Sequence, residues 1–173
     1  RPLIVVPDPR VKLPADAYNL HLAFARDIET ARARLASANG EAKILRTALA
    51  AARKQSDGTL GATIAALDAK VVDTAGIVDA PNPYNAWSLP PKDTRTFAFL
   101  AAAMDKLAHA VDAADAAPSP DTRKGYATLV PMLDRTLADW DRLKSTGLAA
   151  LNAQLQAAGK KPLSAEAVAS PAK

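Results

Sequence analysis

Two histidines, two methionines and a few closely spaced aspartates are the residues of this 173-residue chain whose types could do chemistry. His21 or His109 with Met104 or Met132 is a set that an axially ligated haem iron would use, and zinc also takes imidazole. A di-iron bundle needs Glu-x-x-His pairs, and neither histidine has a glutamate three positions before it. The heptad phase puts His21 on a helix seam, bonded to a neighbour, and His109 on an outer face. Asp105 and Asp112 share one helix face, and Asp134, Asp139 and Asp141 lie close together further on. Paired carboxylates can act as general acid and base. On a helix exterior they ordinarily solvate it or pair with Lys and Arg. Cysteine is absent, which excludes disulfides, thiolate nucleophiles and zinc–thiolate sites. G-x-S-x-G, H-E-x-x-H and a glycine-rich phosphate loop are also missing from the sequence. The reading is no catalytic set, no metal site and no cofactor.

One segment has the composition of a binding site. Residues 76–92, G-I-V-D-A-P-N-P-Y-N-A-W-S-L-P-P-K, hold four prolines and cannot be helical. Asn82, Tyr84, Asn85 and Trp87 combine aromatic area with amide groups, which suits a sugar, a peptide or a partner protein. The competing reading is that Trp87, with Ile77, Tyr84 and Leu89, plugs an end of the fold.

The elements that must position these residues are helices. Ala17, His21, Phe24, Ile28, Ala31, Leu35, Ala38, Ala42, Leu45, Leu49 and Ala52 recur at alternating steps of four and three. This is an a/d heptad, and its phase passes through Asn39-Gly40 without a slip. One helix over about 14–55 is expected, with Gly40 on its outer face. A second helix, about 59–74, carries Leu60, Ile64, Leu67, Val71 and Thr74 and ends at Gly76. A third, about 93–116, carries Phe97, Leu100, Met104, Leu107, Val111 and Ala114. Ser119-Pro120-Asp121 then combines an N-cap, a proline at the first helical position and a carboxylate at the positive helix end. The fourth helix, about 120–157, has an eleven-residue recurrence (Tyr126/Leu137/Leu148 and Leu129/Trp140/Leu151), which predicts a straighter rod. Pro131 and Gly147 predict a kink or break in it.

The fold class is all-α: an up-down-up-down four-helix bundle with unequal helix lengths and a short extended N-terminal segment. Residues 1–13 read as the tail of a preceding β domain or a linker, 14–159 as the bundle, and 160–173 as a loose tail. The short second and third helices are expected side by side along the C-terminal half of the first, leaving a thin end. The 76–92 loop is then expected to cover Phe24, Leu151 and Leu155.

Composition agrees with helices. The chain is 49% hydrophobic but only 5% aromatic, and Ala and Leu are strong helix formers. The net charge of +4 is spread among Asp and Glu without a basic stripe, so nucleic acid is not an expected partner. No run of about 18 apolar residues is present, so no membrane span is expected. The chain opens at Arg1 rather than Met, and it is read as a piece of a longer protein.

Three segments carry a family resemblance: V-V-P-D-P-R-V-K at 5–12, D-A-A-D-A-A-P-S-P at 112–120 and L-A-A-L-N-A-Q-L-Q-A-A-G-K-K-P-L at 148–163. Together they resemble the C-terminal helical region of bacterial secreted proteins with sortilin-like, Asp-box (sialidase-like) β-propellers, often labelled glycosyl hydrolases. The resemblance covers nearly the whole chain. It departs at Pro131 and at Gly147-Leu148-Ala149, where an Asp-Leu-Pro-like break would be expected. It implies a secreted or periplasmic location and a non-catalytic interaction module. The partners would be the upstream domains of its own parent chain, another protein, or a second copy. Any hydrolase chemistry would lie upstream, and the resemblance transfers no functional residue. The alternatives are a ligand- or carbohydrate-binding bundle using the 76–92 loop, and an accessory subdomain of a hydrolase.

Overall fold

The computed structural model describes residue 6 and residues 13–76, 95–113 and 116–166. The extended run over 2–7, apart from Val6, lies outside the described residues. So does the 77–94 segment, with Asn82, Tyr84, Asn85 and Trp87.

The protein is an all-helical bundle, and no strand occurs among the described residues. Its helices are α1 (Ala15–Arg53), α2 (Gly58–Ala75), α3 (Phe97–Asp112) and α4 (Pro120–Arg142). A π-helical turn, Leu143–Leu148, joins α4 to α5 (Ala149–Ala157), so these last three form one rod.

Helix α1 runs 39 residues without interruption, through Gly40. The heptad explains why. Ile28, Leu35, Ala42, Leu45 and Leu49 on its seam are all 2% exposed or less, so the face it must bury is continuous across the glycine. A Cβ built on Gly40 meets nothing within 4 Å. Gly40→Ala is therefore expected to stabilise the protein by about 0.5–1 kcal/mol, the entropy a mid-helix glycine forfeits. A rise in the urea midpoint checks this; a fall would mean that the outer face of α1 is in contact with something.

The directions of the helices depart from the expected order. Helix α2 descends along the C-terminal half of α1, with Asp68 3.6 Å from Arg46. Helix α3 was expected to return to that end, and it does not. It starts where α2 stops, since a Cβ on Gly76 would stand 2.7 Å from the Thr96 side chain. It then continues downward along the N-terminal half of α1: Arg32 Nε donates to Asp105 at 2.8 Å, and Ala116 O lies 2.9 Å from His21 Nδ1. The last rod climbs parallel to α1, marked by Tyr126 on Asp27, Asp134 on Arg34, Trp140 on Glu41 and Lys160 on Gln55. The bundle is thus three helices thick along its length. Length is the physical reason: α2 and α3, with 18 and 16 residues, together match most of the 39 of α1. Stacked end to end they cover the whole seam, whereas side by side they would leave half of it short of a neighbour. The expected thin end does not form. Phe24 packs edge-on against Tyr126 at one end, with centroids 5.2 Å apart, and Leu151 and Leu155 join the core at the other.

Helix α3 begins later than expected because Thr96 caps it: its hydroxyl accepts the Phe99 N–H at 3.2 Å. The cap at Ser119 is as expected, its hydroxyl accepting the Thr122 N–H at 3.1 Å. Pro131 sits inside uninterrupted α-helix with its ring exposed. Gly147 falls instead in the π turn.

The eleven-residue recurrence was a misreading of this turn. The buried positions are Leu133, Thr136 and Trp140, then Leu148, Leu151 and Leu155. With Tyr126 and Leu129 they form a heptad on either side of an eight-residue gap. Eight residues of α-helix overshoot two turns by about 80°. The wider π turn absorbs the extra residue and returns Leu148 to the seam.

The rod ends at Gly159, φ +69°, in a Schellman arrangement: Lys160 N–H donates to Leu155 O at 2.8 Å and Gly159 N–H to Gln156 O at 2.9 Å. The tail expected to be loose from Lys160 is docked as far as Glu166. Leu163 packs against the core and Ala165 is 5% exposed within it.

Candidate functional site

The residues singled out for chemistry are scattered over the bundle. His21 is half-buried against Ala116 O, while His109 is exposed on α3. Met104 is fully buried and Met132 packs on the core from its edge. Among the described residues no three of His, Asp and Glu gather in a metal-binding group. Asp105, Asp134, Asp139 and Asp141 each face a cation rather than one another, while Asp112 is exposed at the end of α3. Arg32 binds Asp105, Arg34 binds Asp134 at 2.8 Å, Arg142 binds Asp139 at 2.9 Å, and Lys144 binds Asp141 at 3.1 Å. Arg32–Asp105 and Arg34–Asp134 tie α1 to its neighbours, whereas the Asp139 and Asp141 pairs lie within the last rod.

Sequence reasoning missed the densest polar cluster, between α1 and the last rod. Trp140 is 1% exposed, with its ring edge-on to Phe97 at 5.8 Å. A buried indole N–H needs an acceptor. It donates to Glu41 Oε2 at 2.8 Å. Lys144 Nζ donates to the same oxygen at 2.6 Å and stands 5.7 Å from the centre of the Trp140 ring. Glu41 thus binds the first turn of the π segment to the middle of α1. The available signal was Trp140 itself: a seam tryptophan demands a polar partner on a facing helix, and Glu41 precedes the seam residue Ala42.

Burial alone would push the Glu41 carboxyl up. Its bonds from Lys144 and Trp140 favour the ionised form, and the balance holds it below the usual carboxylate range. For Lys144, burial disfavours the charge, but its bonds to Glu41 and Asp141 outweigh this and raise it above the usual lysine value. A carboxyl lowered in the folded state binds its proton more tightly in the unfolded chain. Its contribution is therefore complete above the ordinary carboxylate range and is lost as pH falls through the folded value. The lysine contribution is complete below the ordinary lysine value and is lost as pH rises through its raised one. Glu41→Gln is thus expected to destabilise at about pH 7 and to cost less at about pH 3, below the ordinary carboxylate range, where the contribution of the lowered carboxyl has begun to fall. Urea midpoints at the two pH values check this; an equal loss at both would show that the carboxylate charge is not what holds the cluster.

Shallow grooves border this framework among the described residues. One of about 410 Å³ lies between α1 and α3, lined by Glu29, Arg32, Leu35, Asn39, Phe97 and Asp105. A second, also about 410 Å³, is bordered by Arg46 and Asp68. A third of about 290 Å³ lies over the Glu41 cluster. Each is open to solvent, so none is a closed chemical chamber, and the pairs Arg32–Asp105, Arg46–Asp68 and Glu41–Lys144 lie along them. Comparison with protein families, characterised proteins and solved structures returns no match. The surface therefore has to be read on its own chemistry. The large apolar side chains left exposed among the described residues are Val6, Leu20 and Leu22, the last two 52% and 49% exposed. All three belong to the N-terminal part of the chain. No helix among the described residues is long and apolar enough to cross a membrane.

Proposed function

We propose that this chain is a non-catalytic interaction module, the C-terminal helical region of a larger secreted propeller protein of the kind it resembles, and that the N-terminal end of α1 packs on the upstream domains. The observation that carries the reading is the exposure of Leu20 and Leu22, off the seam of a helix whose seam leucines are buried. Two residues apart is about 200° around a helix. The end of α1 therefore offers apolar surface on two sides, which suits a helix end flanked by other domains. Covering the exposed half of each leucine is worth roughly 1 kcal/mol apiece. Several charged side chains, by contrast, are paired between helices, Arg32 with Asp105, Arg34 with Asp134 and Lys144 with Glu41, which supports a structural role over a chemical one.

The test has two parts. The reading frame upstream of Arg1 is expected to encode Asp-box repeats, and their absence overturns the propeller assignment. In the parent protein, Leu20→Lys with Leu22→Lys is expected to leave the bundle's own melting temperature unchanged. The same pair of changes should open the junction before α1 to limited proteolysis. A junction that stays as protected as in the wild type overturns the packing role.

A further inference from the structure

Glycine follows an asparagine or an aspartate at two places in this chain, Asn39-Gly40 and Asp57-Gly58. With no Cβ beside it, the glycine nitrogen can attack the side-chain carbonyl carbon of the residue before. At neutral pH an amide is a better electrophile than a carboxylate, so the sequence alone ranks Asn39 first.

The fold reverses that rank. Asn39 and Gly40 lie inside the uninterrupted 39 residues of α1, so the Gly40 N–H is spent on the carbonyl four residues back. Seam residues Ala38 and Ala42, 4% and 0% exposed, flank the pair, and turning its peptide out of the helix would lift both from the core. Asp57 and Gly58 are both exposed, at the junction of α1 and α2. Gly58 is the first residue of α2, so its N–H has no carbonyl of its own helix to bond. An aspartate in the capping position ordinarily spends its carboxylate on an N–H of the first turn. Asp57 makes no such bond, and its backbone is extended, φ −109° and ψ 177°. One long main-chain bond, Gly61 N–H to Asp57 O at 3.3 Å, ties it to the helix.

We propose that Asp57-Gly58 is a site of spontaneous isomerisation to isoaspartate, and that the bundle shields Asn39-Gly40 from the same reaction. The Asp57 carboxylate takes a proton from solvent, and the Gly58 nitrogen attacks its Cγ. The N–Cγ bond forms, the Cγ–OH bond breaks, and the hydroxyl leaves with the nitrogen's proton as water. One solvent water then opens the succinimide ring. Addition at Cγ restores aspartate. Addition at the main-chain carbonyl carbon breaks its bond to Gly58 and leaves the chain running through Cγ, with a free carboxylate where that carbonyl stood. The junction lengthens by one carbon and loses the carbonyl that Gly61 uses. The first turn of α2 has little room for this, since a Cβ on Gly61 would already stand 2.6 Å from Ser56 O.

The test ages the full chain at body temperature and neutral pH for several weeks. Tryptic peptides 35–43 and 55–70 separate the two sites. Labelled methyl transfer by an isoaspartyl methyltransferase, with fragmentation to place the residue, is expected to give several-fold more product at position 57 than at 39. The same chain aged in guanidinium should show the reverse order, because the helix no longer protects Asn39. Asp57→Glu should fold normally and lose the methyl acceptor, since its longer side chain closes no five-membered ring. In the aged fraction, the Gly61 N–H should exchange faster than in fresh protein. Equal or greater product at Asn39 in the folded chain overturns the proposal, as does undiminished methylation of Asp57→Glu. An unchanged Gly61 exchange rate overturns the effect on α2.

Discussion

Replacing Gly76 with alanine is expected to lower the unfolding free energy by about 2–4 kcal/mol. Two costs combine. Gly76 closes α2 in the left-handed region, φ 70° and ψ 33°, with its N–H on Val72 O at 2.9 Å. A side chain there costs about 1–2 kcal/mol from the backbone alone. The added Cβ would also stand 2.7 Å from both Cβ and Oγ1 of Thr96, and 3.1 Å from Cβ of Ala98. Thr96 cannot yield cheaply, because its hydroxyl caps α3. Gly159→Ala is the control: φ is +69° but nothing lies within 4 Å, so only the backbone cost applies. Equilibrium urea unfolding of both variants separates the terms. Equal losses would show that the abutment of α2 on α3 contributes nothing.

Trp140→Ala is expected to be more damaging still, at about 3–5 kcal/mol. The ring is fully buried, and its removal leaves a cavity beside Phe97. It also strips Glu41 of one of its two donors in a half-buried setting. A bundle of this size should lose roughly 10 °C of melting temperature or more. Trp140→Phe divides the loss, because it restores most of the ring area and none of the N–H bond. A Trp140→Phe variant as stable as the wild type would mean that the indole bond to Glu41 is idle, and would leave packing as the sole role of Trp140.

The helices themselves were legible because burial on a long rod writes itself as steps of four and three. Gly40 could be read through for that reason, and Ser119-Pro120 could be read as a start because the cap chemistry is local. The order of α2 and α3 was not legible. A heptad states which face is buried, but Leu67 and Leu100 look alike whether their helices lie side by side or end to end. Thr136 misled the reading of the last rod. It is a buried seam residue whose hydroxyl donates to Met132 O at 2.8 Å and to Arg95 O at 3.3 Å, so its polarity hid the heptad. The docked tail left no trace either, because Asn152 grips the backbone of residue 163, a pair of bonds that excludes only proline and so marks no residue type. Glu41 could have been found only by asking what Trp140 needed.

The π turn at Leu143–Leu148 also bears on how this chain can vary. Everywhere else in the rod, losing one residue would rotate all that follows by about 100° and turn Leu148, Leu151 and Leu155 away from the core. Within these six positions the loss would do the opposite. Trp140 and the leucines after it would fall at seven-residue spacing, and the wide turn would close into ordinary helix. The segment is thus a joint where the gene can shed a codon without rewriting the seam on either side, with exposed Ser145 and Thr146 the cheapest letters to drop.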